Sequence, residues 1–278
     1  MAIAWTLVIG TNLNAQDETL IDKIDVPLTK PGAAVKLHVK LMNNDLSIVG
    51  YNGKITIVEI VKAPMMKKIV SKSSRSRSRS RSRKSTGDKN KAKGMFRISK
   101  PGIALSIQEE NNIIQVKNNY YTDTENTLVR IKTPFNTSVK VSLMTGGSIQ
   151  IDGVNGEHVV KHHNGAIRMK DISGSVIANS MNGDVSVAFD KINQSKPMAF
   201  STFNGDVDIT IPAKSKFDFK LKSHHGEIFS DFKLQMDPNQ KKTRKKVESK
   251  GGKFKVNFDN TIYASLNGGG EEIFCKTW

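Results

Sequence analysis

Residues 164–187 read "NGAIRMKDISGSVIANSMNGDVSV", one short phrase repeated, and its rhythm decides the fold. Glycines fall at Gly147, Gly156, Gly165, Gly174 and Gly183, nine residues apart, and the spacing then widens to Gly205 and Gly226. Counted from its glycine, position three of each unit holds Ile149, His158, Ile167, Val176 and Val185, and position five holds Ile151, Val160, Met169, Ala178 and Val187. Position eight holds Val154, His163, Ile172 and Met181, then fails at Asp190. Such alternation gives a strand one buried face. Asn155, Asn164, Ser173 and Asn182 stand before the glycines, and Asn and Gly tolerate the left-handed backbone of a tight corner. Buried positions that recur in columns favour winding over separate hairpins, each coil hydrogen-bonding to the next. Two units make one coil, and the wider spacings are the same coil with longer corners. The prediction is an all-β chain with a β-solenoid over 96–278. It has about nine coils and a length of roughly 45 Å at the ~4.8 Å strand spacing. A calcium-binding nonapeptide solenoid is excluded, because position six holds Asp152, Lys161, Lys170, Asn179 and Ala188 in place of a repeated aspartate.

Working outward, residues 17–63 also alternate. "AVKLHVKLMNNDLSIVGYNGKITIVEIV" predicts strand, Asn-Asn-Asp turn, short strand, Tyr-Asn-Gly turn and strand, with Val35, Leu37, Val39 and Leu41 on one face. This segment is expected to be an N-terminal β cap. Residues 64–95 hold the run "RSRSRSRSR" from Arg75 to Arg83 and form a low-complexity basic loop, expected to be disordered because it cannot bury apolar surface. The net charge of +17 resides in two tracts, +12 over 67–97 and +5 over 241–250, which leaves the remainder neutral in sum. The second tract, Lys241 to Lys246, reads as a corner loop. Apolar residues are 37% and aromatics 6%, which suits an elongated fold with a thin core. A single cysteine, Cys275, excludes an internal disulfide, and no apolar run reaches the length of a spanning helix. At the N-terminus the apolar run "AIAWTLVIG" and the polar "TNLNAQ" read as the back half of a secretory signal peptide, residues 1–16, without the usual basic start.

Several stretches resemble a bacterial family of exported proteins, the putative-adhesin domain family of Bacteroidetes-like bacteria. "VPLTKPGAAVKLHVKLMNNDLSIVGYNGK" is similar to its opening, and "NGAIRMKDISGSVIANSMNGDVSV" to its central repeats. "ITIPAKSKFDFKLKSHHGEIFSDF" and "SLNGGGEEIFCKTW" are similar to its C-terminal part. The resemblance implies a β-solenoid at the cell surface or in the periplasm, with no catalytic residues to carry over. Members continue with another "NGDIYI"-type strand, so it also implies a chain clipped at Trp278. The arginine-serine run departs from the family pattern.

Three groups of residues carry candidate chemistry. Arg75, Arg77, Arg79, Arg81, Arg83 and Lys84 could bind a polyanion such as an acidic glycan, lipopolysaccharide or nucleic acid, by counterion release. No aromatic residue interleaves them to stack bases, and a solvated loop is the alternative. Asp184, Asp206 and Glu227 follow turn glycines at 21–22-residue spacing and are expected to form an acidic column, able to hold a cation or act on a glycan. Glycosidase carboxylates need two distinct environments, and a repeated surface column offers only one. His158, His162, His163, His224 and His225 do not make a metal site by spacing, because neighbours on a strand point to opposite faces. No phosphate loop, nucleophile elbow or dinucleotide fingerprint occurs, and "LNGGGEE" reads as a bulge or corner. The expected function is therefore a non-catalytic, exported envelope protein that binds a surface ligand or another envelope protein, with no cofactor and no metal. It would lie in the periplasm, on the outer surface or in the medium. Polyanion binding and glycan-directed catalysis are the alternatives.

Overall fold

The computed structural model describes residues 19–62, 105–118, 127–236 and 261–278, and the backbone of two strands at 244–250 and 253–259. The expected signal peptide and the arginine-serine loop lie outside these residues. Twenty strands follow in chain order: β1 (Thr19–Pro27), β2 (Val35–Leu41), β3 (Asp45–Tyr51), β4 (Ile55–Lys62), β5 (Leu105–Glu110), β6 (Ile113–Asn118), β7 (Thr127–Pro134), β8 (Thr137–Leu143), β9 (Ile149–Asp152), β10 (Asn155–Asn164), β11 (Ile167–Asn182), β12 (Val185–Ile192), β13 (Met198–Asn204), β14 (Val207–Thr210), β15 (Phe217–Ser223), β16 (Gln235–Met236), β17 (Arg244–Lys250), β18 (Lys253–Asp259), β19 (Ile262–Leu266) and β20 (Glu272–Thr277). The described residues contain no helix.

The strands stack into two faces that enclose one core. Face 1 runs β5–β6–β2–β8–β10–β11–β13–β20–β15–β19–β16. Face 2 runs β1–β4–β7–β3–β9–β11–β12–β14. The long β11 belongs to both, entering face 2 at Ile167–Lys170 and face 1 from Ser173, so the two faces are one continuous sheet. The middle of each face is parallel, as winding requires, and antiparallel pairs appear towards the ends.

The register follows the repeat. Ile149 lies beside Ile167, Ile167 beside Val185, and Val185 beside Val207, which gives steps of 18, 18 and 22 residues. Ile149, Ile167 and Val185 are fully buried. Across the core His158 stands beside Val176, and Val160 beside Ala178, which in turn meets Phe200. Burying one such aliphatic side chain contributes about 1.5–3 kcal/mol, so the columns hold the stack together. Position eight divides. Val154 and Ile172 are buried, whereas His163 and Met181 are exposed. The two corners of a coil differ, and strict alternation through Asn182 points residue 181 outward on face 1, so the structural period is 18 residues.

Six rungs have a strand on both faces: β6/β7, β2/β3, β8/β9, β10/β11, β11/β12 and β13/β14. The expectation of nine coils wound in order over 96–278 is corrected on two counts. The N-terminal segment is not a cap, because β2/β3 sits inside the stack between β6/β7 and β8/β9, and only β1 and β4 extend an end. At the other end β20 lies between β13 and β15, so β15 does not touch the strand that precedes it by one coil. The C-terminal strands β15, β16, β19 and β20 add to face 1 alone. Arg244–Lys250 pairs with Lys253–Asp259 as an antiparallel two-stranded sheet, so the second basic tract runs into a strand where a corner loop was expected.

Candidate functional site

The corners carry most of the polar side chains that sequence reasoning singled out. At the Asn-Gly corners the glycines take φ near +144°, while Asn164, Asn182 and Asn204 do not take positive φ. Their amides form a ladder up the edge instead. Asn182 Nδ2 donates to Asn164 Oδ1 and Asn204 Nδ2 to Asn182 Oδ1, each at 2.7 Å. Asparagine is therefore needed there for cross-rung hydrogen bonding, and the left-handed backbone expected of it falls to glycine. Inside the same corners Ser180 Oγ donates to the Gly165 carbonyl at 3.1 Å and Thr202 Oγ1 to the Gly183 carbonyl at 2.8 Å. His162 stands in register with Ser180.

Asp184 and Asp206 project from adjacent rungs, and the Asp206 amide donates to Asp184 Oδ1 at 3.0 Å. Glu227 does not continue their column. The rung of β20 intervenes between β13 and β15, and Glu227 lies in the segment after β15. Asp206 and Glu227 instead line one cavity of about 730 Å³ between β14 and residues 226–234. Among the described residues β20 and β15 have no partner strand on face 2, which leaves this cavity; Phe232 and Leu234 cover part of the core there. Its walls include Ile209, Phe219 and Leu221. Cys275 is also on the wall, and burial pushes its thiol up to about 12, so it stays protonated and unreactive. Asp184, Asp206 and Glu227 are all exposed.

The histidines separate into buried and exposed sets. His158 is buried in the core column, with Nε2 3.4 Å from the Ser173 carbonyl, and burial lowers its pKa to about 4. His162 is buried too, and burial lowers its pKa against the opposing pull of the corner peptides of Ala166, Gly146 and Gly165. His163, His224 and His225 are exposed. Among the described residues no three His, Cys, Asp or Glu side chains cluster as metal ligands would. Arg75, Arg77, Arg79, Arg81, Arg83 and Lys84 lie outside the described residues.

Sequence reasoning missed an exposed row on face 1. Met181, Phe203 and Trp278 stand open at one edge, with Phe203 5.6 Å from Trp278 and His224 stacked on Trp278 at 4.5 Å between ring centroids. The signal was present: Met181 and Phe203 are each the second residue before a corner glycine.

The family model of Toastrack DUF4097 matches residues 22–257, from β1 into β18. The chain belongs to that family. Among solved structures, this Toastrack chain is matched to the crystal structure of "a putative cell adhesion protein" from Clostridium sporogenes, 11% identical, with a TM-score of 0.37 over 92% of this chain and 99% of that one. No curated protein matches the sequence.

Proposed function

We propose that this Toastrack chain is an exported, non-catalytic envelope protein that acts as a rigid surface-binding scaffold, in the manner of an adhesin. One observation carries the reading. The core is built largely on aliphatic columns such as Ile149–Ile167–Val185, while the asparagine ladder, Asp184, Asp206 and the Met181–Phe203–Trp278 row stand exposed on the outer faces and edges. A stack of this kind offers surfaces to a partner. The apolar run at residues 2–10 supports export. The glycan-active reading is disfavoured by the exposure of Asp184, Asp206 and Glu227, since a general acid needs a desolvated carboxyl beside a solvated one. The +12 charge over 67–97 favours a second reading, polyanion capture by the arginine-serine loop.

Fractionation of the producing cell, with protease added to intact cells, tests export: the protein should appear outside the cytoplasm. Retention in the cytoplasm overturns the reading. Binding of the purified full chain to whole cells should survive both deletion of residues 71–93 and alanine at Asp184, Asp206 and Glu227. Loss on the deletion transfers the function to the loop. Glycan cleavage that disappears with the alanines transfers it to catalysis.

A further inference from the structure

The outer side of face 1 segregates charge in a way the neutral sum of the body conceals. The register aligns one outward row along the stack. Lys117 pairs with Lys40, Lys40 with Ser142, and Ser142 with Lys161. The row continues through Asn179 and Ser201, joined by a 2.6 Å hydrogen bond, to Lys276 and then Lys222. Eight positions at ~4.8 Å span about 34 Å, and five are lysines with no carboxylate between them. Lys140, beside His38, adds another cation in the next row inward. The outward carboxylates of these strands, Glu157, Asp218 and Glu272, lie two rows away, about 13 Å along the strand direction. That exceeds the roughly 8 Å screening length at physiological salt. Asp184 and Asp206 lie beyond the asparagine ladder, around the corner. Among the described residues no ion pair engages Lys40, Lys140 or Lys161. His38 registers the resulting field: burial lowers its pKa first, and Lys140, Lys36 and Lys117 lower it further.

The aromatic row flanks these cations. Met181, Phe203 and Trp278 are 45%, 47% and 47% exposed, and Lys276 Nζ sits 3.5 Å from the Trp278 ring centroid. A continuous lane therefore combines a line of ammonium groups, a hydroxyl and amide in its middle, and an apolar margin. We propose that this lane binds a linear anionic polysaccharide lying along the stack axis. Its acidic groups would meet the lysines, its hydroxyls Asn179 and Ser201, and the C–H faces of its sugars the exposed Met181 and Phe203 side chains. Single-stranded nucleic acid fits less well, because bases stack on open ring faces and the Trp278 ring is already engaged by His224 and Lys276. The inference deepens the surface-binding reading by naming the ligand class, and it does not depend on export.

The test measures binding of the full chain to polygalacturonate at several salt concentrations, with neutral dextran and a single-stranded oligonucleotide as comparators. Polygalacturonate should bind with strong salt dependence and dextran should not. The triple variant Lys40→Gln/Lys161→Gln/Lys222→Gln should weaken binding at least tenfold and reduce the log–log salt slope by about 2, at ~0.7 per lost contact. Phe203→Ala should weaken binding about threefold or more with the slope unchanged. The face 2 control Arg168→Gln/Lys170→Gln/Lys191→Gln removes the same charge and should leave binding within threefold. Thermal melts of all variants establish folding. The proposal is overturned by absent binding, by equal losses in the two triple variants, or by preference for the oligonucleotide at matched charge. Failure here leaves the cell-fractionation result standing, so the two readings fail separately.

Discussion

At the residue scale, the corners depend on backbone proximity as much as on backbone conformation. Gly174 has φ +111°, and a Cβ there would sit 1.9 Å from the Gly156 carbonyl oxygen of the neighbouring rung. Gly32 has φ +89° with nothing within 4 Å of the same added atom. Both alanine variants pay the left-handed cost of about 1–2 kcal/mol, but only Gly174→Ala must also separate two rungs. Denaturant unfolding should show Gly174→Ala losing about 3 kcal/mol or more and Gly32→Ala about 1–2 kcal/mol; equal losses would show that stacking distance is irrelevant. His158 gives a pH signature. Burial holds it neutral with a pKa of about 4 against 6.5 when unfolded, so between these values the unfolded chain binds a proton that the native chain refuses. The stability is fully present above about pH 6.5 and falls by on the order of 3 kcal/mol as pH drops through about 4. In a His158→Leu variant the fall in unfolding free energy between pH 7.5 and pH 4 should shrink by that amount, and an unchanged profile refutes the assignment. His162, whose pKa burial also lowers, acts in the same direction.

At the scale of strands, local pattern was legible and order along the stack was not. The strands β2, β3 and β4 stand where alternation and turn residues put them, and Ile149, Ile167, Val185 and Val207 form the column their spacing requires. Alternation fixes which face of a strand is buried, but it says nothing of which neighbour the strand meets. For that reason the intercalation of β2/β3 between β6/β7 and β8/β9, and of β20 between β13 and β15, left no periodic trace. The acidic triad was misread for the same cause: equal spacing puts Glu227 above Asp206 only if the chain winds in order. The exposed row was overlooked because Met181 was assigned to a buried column by a nine-residue period. Rung order can be checked by cross-linking. Ala199 and Phe274 are outward register partners on β13 and β20, whereas Lys220 on β15 lies one rung further. Mild oxidation of an Ala199→Cys/Phe274→Cys variant should give an intramolecular disulfide. Ala199→Cys/Lys220→Cys should not, because two rungs separate those Cα atoms by about 9.6 Å, beyond the reach of the bond. Native Cys275, half-buried on the cavity wall and held protonated, should stay silent. The reverse result would restore sequential winding.

For the whole molecule, stacking makes stability a sum of rung interfaces, so protection should depend on how many neighbours each rung has. The centre, β8 through β12, is paired on both sides and holds the fully buried Ile149, Ile151, Ile167 and Val185. At the C-terminal end face 1 runs on past face 2, so among the described residues β14 is hydrogen-bonded on one side only and faces the cavity, while the two-residue β16 pairs only with β19. This offset leaves Val207 and Ile209 half-buried at the end of columns whose earlier members are sealed. Native-state hydrogen exchange should therefore grade along the axis. Amides of β10, β11 and β12 should exchange only with global unfolding, β13 and β20 at lower free energy, and β14 and β16 first, by local opening. Addition of polygalacturonate should raise protection along face 1, at β10, β13 and β20, more than at β9 or β12 on face 2, because the lane crosses only face 1. Uniform protection along the axis would mean that the chain unfolds as one cooperative block, and the offset of the two faces would then have no energetic consequence.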